Sequence, residues 1–113
     1  MIEIGRDDFE QLVQRAIDEV PEPFSAALDE VAVVVEEHSP PGQSLYGLYT
    51  GVPLTLGDAT GAMPPRITVY MHPLLDHSAT AEEVVREVRI TVLHELGHHL
   101  GFDERRLHEL GYG

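Results

Sequence analysis

The sequence contains no cysteine and no lysine. Without cysteine there is neither a disulfide framework nor a thiolate metal site, so any bound metal must be held by imidazole and carboxylate. The absence also fits a reducing compartment. Without lysine, only seven arginines offset twenty acidic residues, and the formal charge is −13. A field of that sign repels phosphate backbones, which speaks against a nucleic-acid partner. Most of the acidic residues are read as a solvated surface. No apolar run approaches the roughly twenty residues of a membrane-spanning helix. The opening MIEIGRDDF lacks the basic start and apolar stretch of a secretory leader. The expectation is a cytoplasmic protein with no membrane partner, and 113 residues suit a single domain over 1–113.

What is present has clear periodicity. Phe9, Leu12, Val13, Ala16, Ile17 and Val20 recur at helical spacing, after an Asp7-to-Glu10 stretch with capping-box spacing. Pro21 and Pro23 stop that helix, and Phe24 to Leu28 can add a short turn. Residues 31–37, VAVVVEE, read as a buried strand. Residues 45–52 read as a bent strand or hairpin, and 57–65 as a loop. Residues 66–71, RITVYM, alternate like a half-exposed strand at a sheet edge, ended by Pro73. Ser78 or Thr80 caps the last long helix, with Glu83 three residues after Thr80. That helix runs to about His99 and stops at Gly101. Ala81, Val84, Val85, Val88, Val92 and Leu96 form its apolar stripe. His94 and His98 lie nearly opposite Val92, on the side shared with Glu87 and Thr91. The fold class is α+β.

Near the end of this helix stands His94-Glu95-Leu96-Gly97-His98. Two histidines four residues apart sit one turn above each other, so both imidazoles can reach one cation. Zinc takes such nitrogen ligands, and a catalytic site needs a third protein ligand and an open position for water. Glu95 lies about 100° around the helix from His94, where its carboxylate can take a proton from that water without binding the metal. The composition alone would yield HExxH by chance roughly once in twenty such chains, so context matters. Gly97 is costly inside a helix, by about 1 kcal/mol, which points to a close approach there. Gly101 then lets the chain turn back and bring an oxygen ligand. Asp103 and Glu104 are the candidates, and the register HExxHxxGxxE favours Glu104.

That register resembles the extended metzincin motif, HExxHxxGxxH. The segments GLYTGVPL, RITVYMHPLL and EVRITVLHELGHHLGFDERRLHELGYG resemble a family of small bacterial zincin-like metallopeptidases, which shows HEIGHHFG, an acidic pair and an ELG tail. The likeness implies a minimal zincin fold, a small mixed sheet packed on an N-terminal helix and a C-terminal active-site helix. It implies a zinc cofactor held by His94, His98 and Glu104, and Glu95 as general base. Aspartate is usual where Glu104 stands, which keeps Asp103 in competition. The implied activity is peptide hydrolysis, with an extended or unfolded peptide pairing onto an edge strand, here residues 66–71.

No methionine follows the motif, so the metzincin Met-turn is missing, and only nine residues follow Glu104. The expectation is an open cleft that a protein partner could complete. Of the other histidines, His99 points about 100° from His98 and reads as packing or support for a ligand. His38 and His108 are expected at the surface. His72, His77 and Tyr112 are weak candidates for stabilising an oxyanion. Two further readings stand. One is a non-catalytic metal-binding or interaction module. The other is a metal-dependent endoribonuclease, since His94, His98 and Glu104 share the spacing of the bacterial rRNA-maturation family; that family has glycine where Glu95 stands, and the charge opposes RNA.

Overall fold

The computed structural model describes residues 1–51 and 64–112. The loop expected over 57–65 lies outside the described residues except for Pro64 and Pro65, and so does Val52 at the end of the second strand.

Helix α1 (Arg6–Asp18) starts two residues earlier than the Asp7 capping box predicts. Gly5 is its cap, and the Phe9 N–H donates to the Gly5 carbonyl at 3.0 Å. Asp7 and Asp8 instead lie in the first turn, where the positive end of the helix dipole favours them. Phe9, Val13 and Ala16 are buried along the face that packs on the long C-terminal helix. Helix α2 (Phe24–Ala27) passes into a 3-10 turn at Leu28–Glu30.

Among the described residues three strands follow: β1 (Ala32–Glu36), β2 (Gly47–Thr50) and β3 (Arg66–Tyr70). Their order is β1-β3-β2, with β1 parallel and β2 antiparallel to β3. Two expectations are corrected here. Residues 66–70 form the central strand, hydrogen-bonded on both sides, and Ile67 to Tyr70 are all buried. Their alternation reads as half-exposed because Thr68 and Tyr70 are polar or amphipathic, yet both are covered. The β-branched run of β1 is an edge among the described residues, and Val33 to Val35 are only half-buried. The Arg6 guanidinium donates to the Val35 carbonyl at 2.7 Å, placing charge against that strand, as edges commonly do.

Helix α3 (Met71–Asp76) begins directly after β3 and contains Pro73. Pro73 does not break it, because amides of a first helical turn have no intrahelical acceptor to lose. Helix α4 (Ala81–His99) is capped by Thr80, whose hydroxyl accepts from the Glu83 N–H at 3.2 Å. Ser78 is buried and bonds back to the Leu74 carbonyl instead. Val84, Val88, Val92 and Leu96 are fully buried with Phe9, Ile67, Val69 and Leu74 in one core. At the far end Gly101 takes φ +89°. The Gly101 N–H reaches the His98 carbonyl and the Phe102 N–H the Gly97 carbonyl, the Schellman pattern that a left-handed glycine allows. The reversed chain then forms helix α5 (Glu104–Glu109). Among the described residues no helix is long and apolar enough to cross a membrane.

Candidate metal centre

Two glycines set how closely the elements surround α4. A Cβ on Gly97 would lie 2.1 Å from Leu107 Cδ2, so Leu107 of α5 seats on the glycine and is fully buried. The close approach expected at Gly97 is therefore made by α5. A Cβ on Gly47 would lie 2.5 Å from Thr91 Cγ2, so β2 runs against α4 where Glu95 stands. Short side chains on both sides bring three elements to one point.

The α5 contact carries Glu104 over the two histidines. His98 Nε2 lies 2.8 Å from Glu104 Oε1, His94 Nε2 lies 3.2 Å from the same oxygen, and the two Nε2 atoms are 3.3 Å apart. A tetrahedral ion bonded at about 2.0–2.1 Å needs ligand atoms about 3.3 Å from one another. The triangle has the size of one face of that tetrahedron. The Tyr112 carbonyl lies 2.7 Å from His94 Nδ1. A carbonyl can only accept, so Nδ1 carries the proton and donates it, leaving the Nε2 lone pair directed at the triangle. These donors suit a borderline divalent ion such as zinc. Asp103 is the N-cap of α5, accepting from the Arg106 N–H at 2.8 Å, and that bond holds its carboxylate at the cap.

Glu95 is buried at the edge of the triangle, its Oε2 4.0 Å from His94 Nε2. Burial pushes its carboxyl above the usual carboxylate range, opposed by His94, His98 and the Tyr49 main-chain N–H. A carboxylate with a raised pKa accepts protons more readily. His99 is fully buried behind the site. Its Nε2–H donates to Glu30 at 3.1 Å, and the Tyr49 hydroxyl, 2.9 Å away, donates to Nδ1. It is thus a supporting residue, and it anchors the strand whose amide touches Glu95. Neither partner leaves a signal in the sequence, because Glu30 and Tyr49 stand 69 and 50 residues from His99.

A groove of roughly 350 Å³ runs beside the triangle, bounded by 44–47, by Glu87, Ile90 and Thr91 of α4, and by Tyr112. The Tyr112 ring packs edge-on against Phe24, and its carbonyl, with no side-chain signature to read, makes the contact to His94. His72 and His77 do not line this groove. His72 stacks on His38, and His77 packs against Tyr46. His108 is exposed.

The zincin-like metallopeptidase family profile matches residues 28–113. Among solved structures, a conserved hypothetical protein from Thermo thermophilus is similar, with 32% identity and a TM-score of 0.58 over 85% of this chain and 94% of that one. Among curated proteins nothing matches.

Proposed function

The chain belongs to the zincin-like metallopeptidase family, and on that footing we propose that it hydrolyses peptide bonds with zinc as cofactor. His94, His98 and Glu104 hold the ion and Glu95 is the general base. The observation that carries the reading is the convergence of His94 Nε2, His98 Nε2 and Glu104 Oε1 within 3.3 Å of one another, with the Glu95 carboxylate alongside. When bound there, zinc supplies Lewis acidity, making water more acidic and a carbonyl more electrophilic. Glu95 takes a proton from the attacking water and delivers it to the leaving amine nitrogen, which breaks the C–N bond. The Tyr49 main-chain N–H holds the Glu95 carboxylate, and His99 holds Tyr49 through its hydroxyl.

The substrate is an extended or unfolded peptide, and it pairs with β2. Strand β3 has its main-chain bonds taken on both sides. Strand β2 is an edge among the described residues, and Gly47 with its preceding residues borders the groove beside His94 and Glu95. An extended chain added there would run past the triangle. Family membership and the glutamate beside the triangle favour the peptidase over a ribonuclease. The test is cleavage of a peptide library by the zinc-loaded protein beside Glu95→Gln. Cleavage by the parent, lost in a variant that keeps its zinc, supports the proposal. A zinc-loaded parent that cleaves nothing would leave a metal-binding module.

A further inference from the structure

Three of the seven histidines stand outside the α4 site in one neighbourhood: His38, His72 and His77 border a second groove of roughly 340 Å³, with Asp76 and the 39–44 loop. The sheet itself assembles it. The parallel β1–β3 register ends at Glu36↔Tyr70, so the residues leaving the two strands emerge side by side. The His72 main-chain N–H donates to the Glu37 carbonyl at 3.0 Å, fixing the two exits together. The rings of His38 and His72 stack with centroids 4.7 Å apart and planes 23° from parallel. Glu37 Oε1 lies 3.9 Å from His72 Nε2, while Oε2 faces the Arg6 guanidinium at 3.6 Å. One carboxylate oxygen thus faces the His72 imidazole and the other a guanidinium. One ligand atom from each of Glu37, His38 and His72 falls within 4.8 Å of the others.

We propose that Glu37, His38 and His72 form a second divalent-metal site, separate from the one on α4. Two imidazoles and one carboxylate form a donor set for zinc, and equally for copper(II) or nickel(II). The groove leaves room for water to complete the coordination, and a chain of net charge −13 favours a cation over an anion there. Glu37 Oε1 and His72 Nε2, 3.9 Å apart, are farther from one another than the 2.8–3.3 Å of the α4 triangle. Two of the three side chains are exposed, and the His38 and His72 rings must turn out of their stack to aim one nitrogen each at a common ion, so this site binds more weakly than the first. Its effect is structural: an ion there ties the end of β1 to the start of α3.

The test is equilibrium dialysis of the metal-stripped protein against zinc chloride. The parent is expected to bind two equivalents, and His38→Ala/His72→Ala only the tighter one. His94→Ala/His98→Ala should retain one, the weaker. A parent that binds a single equivalent overturns the proposal, as does a second equivalent that survives His38→Ala/His72→Ala. Should His94→Ala/His98→Ala fail to fold, the parent alone decides by imidazole nitrogen NMR. The second equivalent is expected to shift the ring nitrogens of His38 and His72. Shifts that leave those two rings unmoved overturn it.

Discussion

At the scale of single residues, the proposed site depends on Gly97 as much as on its ligands. The glycine costs about 1 kcal/mol of helix propensity, and the space it leaves is occupied by Leu107. Gly97→Ala should therefore lower stability by about 1–3 kcal/mol from overpacking, against the propensity it regains. Because Leu107 and Glu104 share α5, the same change should weaken zinc binding. A thermal melt and a zinc titration of the variant check both. Much at this scale is legible in the sequence. HExxH and the register single out His94, Glu95, His98 and Glu104, which the fold brings together, and the misplaced glycine marks a contact. What is not legible has a common cause. The Tyr112 carbonyl is a main-chain group, and the Glu30–His99–Tyr49 chain joins residues far apart in sequence, so neither leaves a local pattern.

At the scale of elements, α4 follows its pattern closely. Its apolar stripe, its Thr80 cap and its stop at Gly101 are where the residues place them. Thr80→Ala should cost about 1 kcal/mol, the usual loss for an N-cap, seen as a lower urea midpoint at unchanged slope. The sheet is less legible. Strand pairing is decided by contacts across the chain, and a central strand carrying Thr68 and Tyr70 resembles an edge strand in sequence. Helix α5 is hidden because six residues are too few to show a period. Asp103 three residues before Arg106 is its one local signal. Leu107→Ala, which empties the contact between α5 and Gly97, should cost about 2–5 kcal/mol. It should also loosen Glu104, which distinguishes it from a core substitution remote from the site.

At the scale of the whole molecule, zinc held as proposed would join α4 to α5 and should contribute to folding. A ligand that binds only the native state stabilises it by about 2.7 kcal/mol at one hundred times its Kd. For a chain of this size that is a Tm rise on the order of 10–20 °C. A chelator should reverse it, as differential scanning calorimetry would show. Glu95→Gln should keep the rise, because the proposal makes Glu95 the base and not a ligand. The acidic surface, legible from composition alone, raises the local concentration of cations and leaves the geometry to decide where they settle.

All three scales meet in one question, whether α5 delivers the third ligand. The measurement is the affinity of the tighter zinc equivalent in the parent, in Glu104→Ala and in Asp103→Ala. Glu104→Ala should lose at least roughly 100-fold, more than is usual for groups that only support a ligand. Asp103→Ala should lose only about tenfold or less, the cost of a weakened cap. A larger loss in Asp103→Ala than in Glu104→Ala would give the ligand role to Asp103 and overturn the assignment.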